Sequence, residues 1–363
     1  MHKLVAMAYD FTLIKPFILL GLAISNQLNL IIFNFKRRNI SQTKCLKIIT
    51  VNQSQNVTDY PNNNTIFTVW KFKDGAAIRP AFKRLCALVE NINRSYAVRV
   101  VKGRTSCVLG VGFSAWTELG LPLPPPKELC NFEPIIGAKH TAVSTPGDIH
   151  IHLRALDMAI CFDMASDIAS IMLPVADCLE EIHGFRYWDG RSILGFVDGT
   201  ENPIGDERPF FALVGEEDAA YKDGSYLFVQ KYLHEMKNWQ ALSTEDQEKV
   251  IGRYKMSDIE MTDDVKPSNS HSALAGIEDK AGNDLKIIRD NMPFGHPSKG
   301  EVGTYFIAYS KNFSTVKEML TRMFIGYPPG NSDRILDFST PHTGTLYFAP
   351  SLTMLQAYAE EGM

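Results

Sequence analysis

The chain has 363 residues, enough for about two domains with cores of their own. Hydrophobic residues make up 45% and charged residues 21%, a globular balance that excludes a disordered chain. A formal charge of -4 provides no basic footprint for general nucleic-acid binding.

Residues 17–24 and 28–35 are apolar, but Pro16 and Ser25-Asn26-Gln27 interrupt them, so no clean span of about twenty residues forms. A signal peptide would want a small-residue cleavage site after the apolar core, and no clear one follows. From Asn39 to Asn64 the chain turns polar and asparagine-rich. Residues 1–60 are therefore read as an extension: weakly ordered, a poor membrane anchor, or sequence outside the functional gene product. The cysteines (Cys45, Cys86, Cys107, Cys130, Cys161 and Cys178) form no CxxC pair and are too sparse for a disulfide framework or a zinc site. Free thiols suit a reducing compartment, and a cytoplasmic location without membrane attachment is expected.

Order is expected from Ile66. The β-branched and aromatic run Ile66 to Phe72 reads as a strand. Ile78, Phe82, Leu85, Cys86, Val89 and Ile92 fall at helical spacing over Ala76 to Ile92, with Pro80 in the first turn. Ser106 to Gly112 is a second strand, Ala115 to Leu119 a short helical turn, and Leu121 to Pro126 a stiff proline-rich loop. In Asp148 to Arg154 the residues alternate: Ile149, Ile151 and Leu153 face one way, His150, His152 and Arg154 the other. The second set reads as the polar side of a sheet; two histidines without a third ligand make a poor metal site. Ala159 to Leu173 is helical.

The pattern then restarts. Ser225 to Val229 and Gly303 to Tyr309 read as strands. Ser243 to Ile251 is a polar helix that Ser243 caps and Asp246 supports. Phe313, Val316, Leu320 and Met323 share a helical face. Two α+β domains follow, 61–190 and 191–363, each an antiparallel sheet with peripheral helices.

Between the halves lies Gly195-Phe196-Val197-Asp198-Gly199-Thr200-Glu201-Asn202-Pro203, which sets one carboxylate among glycines. Downstream come His271 in Asn269-Ser270-His271 and Arg289 in Ile288-Arg289-Asp290-Asn291-Met292-Pro293. An imidazole can hold iron, a carboxylate can carry a proton, and a guanidinium can stabilise charge as an O–O bond breaks. Taken singly, each has a plain structural reading: turn residue, loop histidine, surface charge.

The glycine-framed aspartate resembles the signature of the dye-decolourising (DyP-type) haem peroxidase family, and Thr200-Glu201-Asn202-Pro203 resembles its bacterial branch. Asp148 to Ala155, Phe185-Arg186, Pro267 to His271, Met292 to Gly295 and Leu336 to Ser339 are similar to further family segments in the same order, over roughly residues 66–356. The resemblance implies two ferredoxin-like domains with haem b in the second. It implies His271 as proximal iron ligand, Asp198 as distal acid/base group and Arg289 as distal cation. It also implies an acidic residue behind the proximal histidine, with Asp333 the first candidate and Asp337 the second. Asn291 is a candidate for holding peroxide or a distal water, and Arg253 for meeting a haem propionate. Phe306, Met323 and Phe338 are candidate pocket walls, and Tyr187, Trp188, Tyr232 and Trp239 candidate electron relays.

The implied activity is reduction of hydrogen peroxide coupled to oxidation of dyes, phenols or porphyrinogen-like reductants, by a homo-oligomer. The competing expectations are a haem-binding or iron-handling protein without useful turnover, and a non-haem interaction module.

Overall fold

A computed structural model describes residues 54–360, so the reading of residues 1–53 as an extension lies outside the described residues. The first half runs β1 (Asn64–Phe72), α1 (Ile78–Arg99), β2 (Ser106–Gly112), α2 (Phe113–Leu119), β3 (Ile149–Ala155), α3 (Met158–Met172) and β4 (Ala176–Phe185). The second runs β5 (Ser225–His234), α4 (Thr244–Ile251), α5 (His271–Ala275), β6 (Ile288–Arg289), β7 (Met292–His296), β8 (Glu301–Ser310), α6 (Phe313–Phe324), β9 (Thr345–Ala349) and α7 (Leu352–Glu360).

Every pairing in the main sheet is antiparallel, and the strand order is β6-β8-β5-β9-β2-β3-β1-β4, with β7 also on β8. Each half thus repeats one plan, strand-helix-strand-strand-helix-strand, with the first and third strands paired at the centre. That is the ferredoxin-like arrangement. The halves join where β9 pairs with β2, Tyr347 opposite Gly112 and Phe348 opposite Val111.

The joined sheet curls until β7 packs against β4: a Cβ placed on Gly184 would lie 2.7 Å from the Cβ of Met292. Two cores result. The helices cover the outer face, where Ile66, Leu85, Val89, Ile151, Met164, Phe228 and Leu320 are buried. The inner face encloses Phe67, Val108, Ile307 and Met292 together with Tyr305, Tyr309 and Tyr347.

The expected alternation in β3 holds, but its polar side is not a wet surface. His150, His152 and Arg154 point into the inner core and are at most 1% exposed. A sheet that closes on itself leaves that face no solvent. Residues 55–60, assigned by sequence to the extension, are part of this closure. Buried Gln55 donates to Leu109 O (2.9 Å) and Pro350 O (2.8 Å) and accepts from Leu109 N (2.8 Å). Arg154 donates to the carbonyls of Asn56 and Asp59.

Helix boundaries follow local chemistry. Ser243 caps α4, accepting from Asp246 N at 3.1 Å. Its hydroxyl also meets the Asp246 carboxylate at 3.0 Å, where a capping box would return the bond to the backbone. The helix α1 runs on to Arg99, past the apolar repeat that ended the sequence expectation at Ile92.

Burial holds three histidines neutral: His150 is pushed down to about 3, His234 to about 4, and His152 well below its usual value, with Arg154 and His150 adding to burial there. The unfolded chain protonates the same side chains near pH ~6.5. Their contribution to stability is therefore complete above that value and is lost as the pH falls toward the folded-state values. Between about pH 6.5 and 5, the free energy of urea unfolding should drop by up to about 1.4 kcal/mol per pH unit for each histidine. A flat profile over that interval would show the imidazoles protonated in the fold.

Candidate active site

A cavity of about 470 Å³ opens on the outer face of the second half-sheet, between β5, β8 and α6. That size is within the range of cofactor pockets. Alternation along β8 sends Thr304 and Phe306 to this cavity, while Tyr305 and Ile307 go to the inner core. Val316, Met319, Leu320 and Met323 on α6 supply an apolar wall.

His271, the first residue of α5, lines the cavity. Its Nδ1 lies 2.7 Å from Asp333 Oδ2, and Asp333 is fully buried. The other carboxylate oxygen accepts from Ile335 N at 2.9 Å. Asp333 thus anchors its own turn and also orients the imidazole. The loops carrying them are stitched by Arg334 N to Asn269 O (3.1 Å) and Asp333 N to Met323 O (2.9 Å). With Nδ1–H donated to a carboxylate, the lone pair sits on Nε2, which has no hydrogen-bond partner among the described residues. Asp337 lies elsewhere, 3.0 Å from His140 Nε2, and so is not the acid behind His271.

Asp198 and Arg289 line the same cavity. The loop bearing Asp198 is held from behind. Phe196 is buried edge-on against Trp239, whose Nε1 donates to Leu194 O at 3.0 Å. Gly195 and Gly199 adopt φ of +92° and +81°, values a side-chain-bearing residue rarely takes. Between them Asp198 N donates to Gly190 O at 3.0 Å.

Asn291 Nδ2 lies 3.1 and 3.2 Å from the two Asp198 oxygens, while its Oδ1 accepts from Ile307 N at 3.2 Å. Expected as a contact for peroxide or a distal water, Asn291 holds the Asp198 carboxylate in place. Asn202 clamps the backbone of Arg289, donating to its O at 2.7 Å and accepting from its N at 2.9 Å. The Arg289 guanidinium forms no ion pair among the described residues and remains available to the cavity.

The remaining candidates separate. Arg253 lines the cavity, but its guanidinium is engaged by Glu201, by Glu260 at 3.1 Å and by Asp258 O at 2.8 Å. In this structure it staples the Asp198 loop to residues 258–260. Phe306 and Met323 line the pocket. Phe338 instead packs on Trp239, with ring centroids 5.3 Å apart. Trp239 is 1% exposed, Tyr232 is buried at the cavity wall, and Trp188 is 72% exposed beside Tyr187.

Sequence reasoning missed Asn202 and His234. The former sits inside the quoted motif, but its clamp is visible only once β6 is in place. His234, at the end of β5, lines the cavity with both ring nitrogens occupied, by Ser339 Oγ (2.8 Å) and Thr304 Oγ1 (2.9 Å).

The same chain matches two family models, Dyp-type peroxidase, N-terminal, over residues 55–186, and Dyp-type peroxidase, C-terminal, over residues 189–354. A dye-decolorizing peroxidase from Rhodococcus erythropolis is 46% identical over 290 residues, 80% of this chain and 84% of the relative. Another from Mycobacterium tuberculosis is 45% identical over 280 residues, 77% of this chain and 82% of the relative. Among solved structures, a dye-decolorizing peroxidase from Bacteroides thetaiotaomicron superposes with a TM-score of 0.82 at 49% identity, covering 85% of this chain and 99% of that one. A DypB variant from Rhodococcus jostii, solved in complex with heme, gives a TM-score of 0.81 at 44% identity, covering 84% and 97%. With both halves of its fold matched, and a histidine, an aspartate and an arginine gathered at one cavity, the chain belongs to the Dyp-type peroxidase family.

Proposed function

We propose that His271 is the iron ligand of this haem-dependent peroxidase, with Asp198 as its proton carrier and Arg289 as its fixed cation. The observation that carries the assignment is the polarised imidazole: Nδ1 bound to buried Asp333, and an unpartnered Nε2 beside an apolar-walled cavity. A neutral imidazole with a carboxylate behind it is the donor that haem iron takes. The residues present therefore fit the group, as does the heme held by the R. jostii relative. When bound, haem supplies the iron at which peroxide is reduced and the store of oxidising equivalents.

The chain's own residues do the rest. Asp198 accepts a proton from hydrogen peroxide and returns it to the departing oxygen. Asn291 Nδ2 keeps the carboxylate fixed between those transfers. Arg289, its backbone clamped by Asn202 and its guanidinium unpaired, stabilises the negative charge that develops as the O–O bond opens. His234 is held neutral and fully hydrogen-bonded, so it shapes the wall without competing as an iron ligand.

The reducing substrate belongs to the proposal only as a class, an electron donor such as a dye, phenol or porphyrinogen-like compound. Self-association rests on the family likeness alone. Cytoplasmic placement is supported by Cys86, Cys107, Cys130, Cys161 and Cys178, which are all free thiols. Among the described residues no helix is long and apolar enough to cross a membrane.

Absorption spectra and peroxide turnover of haem-loaded variants test the roles. His271→Ala should lose the Soret band of the ligated haem. Asp198→Ala and Arg289→Leu should keep it while turnover falls by about 10²–10⁴-fold. Native turnover in both would leave a haem-binding protein whose distal residues do not act as assigned. Asp333→Asn removes the acceptor charge behind the ligand and should cost about 10–100-fold in haem affinity or activity. An unchanged Asp333→Asn enzyme would reduce Asp333 to its turn.

A further inference from the structure

The inner core holds a polar cluster that the peroxidase assignment leaves unused. Tyr309 Oη lies 2.9 Å from His152 Nδ1, and both residues are fully buried. His152 Nε2 has no hydrogen-bond partner and sits 3.7 Å from Asp290 Oδ2. Asp290 Oδ1 is likewise unpartnered, while its Oδ2 meets Arg154 at 2.9 Å. Leaving such groups buried and unsatisfied costs free energy that an inert core would avoid. Tyr309 also stands opposite Ile288 on β6, next to Arg289, so it occupies the reverse side of the strands that wall the cavity.

We infer that Tyr309 and His152 form an internal one-electron site that stores an oxidising equivalent when no reducing substrate arrives. This rests on the peroxidase reading of the cavity. Burial pushes the Tyr309 phenol up and His152 down, so the resting pair is a neutral phenol bonded to a neutral imidazole. One electron would leave the phenol for the oxidising equivalents that the peroxidase activity draws from hydrogen peroxide. The phenolic O–H bond breaks, its proton forms a bond to His152 Nδ1, and a neutral tyrosyl radical remains beside an imidazolium. The Asp290 carboxylate faces that new charge. An electron from the reducing substrate, together with return of the Nδ1 proton, would restore the phenol.

The surroundings suit storage rather than release. Phe67 stacks on His152 at 4.6 Å and on Tyr305 at 4.3 Å, which closes the site in aromatic surface. With no exposed atom, the radical cannot couple to substrate or to another chain. Tyr305 lies 3.3 Å from His150 Nε2, a longer contact with no carboxylate behind it, and is the poorer donor.

Electron paramagnetic resonance of the holoenzyme, frozen after hydrogen peroxide is added without reductant, tests the site. The expected result is a tyrosyl signal that narrows when the tyrosine rings are deuterated in the unaltered protein. It should be lost in Tyr309→Phe and in His152→Phe, and kept in Trp188→Phe. Excess peroxide should also inactivate the Tyr309→Phe holoenzyme in fewer turnovers. A signal that survives Tyr309→Phe, whether on Tyr305 or on the exposed Tyr187–Trp188 pair, overturns the assignment, as does a signal unmoved by tyrosine deuteration. Haem absorption recorded on the same samples after peroxide keeps this failure distinct from failure of the peroxidase reading.

Discussion

The buried ion pair between Arg154 and Asp290 ties the two halves of the molecule together beside the strands that wall the cavity. Arg154 stands on β3 of the first half, and Asp290 lies between β6 and β7 of the second, 2.9 Å away with both side chains 1% exposed. Removing one partner from such a pair strands a charge in the core, at a cost of about 3–5 kcal/mol. Over residues 288–292 the chain alternates: Ile288, Asp290 and Met292 turn inward, Arg289 and Asn291 turn to the cavity. A one-residue slip would send Arg289 and Asn291 into the inner core and Asp290 out. The pair therefore fixes a register as much as it adds stability.

On the cavity side, support and chemistry are divided between neighbouring residues. Asp333 stands behind His271, Asn291 holds Asp198, and Asn202 grips the Arg289 backbone. These contacts fix the His271 ring, the Asp198 carboxylate and the Arg289 backbone at the cavity wall. Arg253 shows the contrast. Its guanidinium is taken up by Glu201 and Glu260, so a residue that lines the same cavity serves to hold a loop.

Much of the fold could be read from local pattern. The strand at Ser106 to Gly112 and the helix after Asp157 are set by alternation and helical spacing, which need only a few neighbouring residues. The motif around Asp198 was legible for a similar reason: positive-φ turns demand glycine at Gly195 and Gly199, and that demand is written locally. Partner choice was not legible. Asp333 and Asp337 are four positions apart in a chain that must first place α5 near residue 333, and only closure decides that Asp333 meets His271 while Asp337 meets His140. Closure also turned the polar side of β3 from an expected solvent face into a core, since no strand carries a local record of the sheet curling back on itself.

That closure explains why imidazole, phenol and guanidinium sit together where leucines would pack more safely. Tyr305, Tyr309 and Tyr347 are large enough to fill the space between facing strands, and each brings a hydroxyl that must find a partner or go without. His150 and His152 meet two of those hydroxyls. An apolar interior of equal volume would leave no polar group unsatisfied, and packing alone gives no reason to prefer the polar one. What an apolar interior cannot do is carry Arg154, and without Arg154 the carboxylate of Asp290 has no counter-ion. The alternation that sends Arg289 and Asn291 to the cavity then loses its inner anchor. A polar inner core on one face of the strands is thus the structural counterpart of the charged cavity wall on the other.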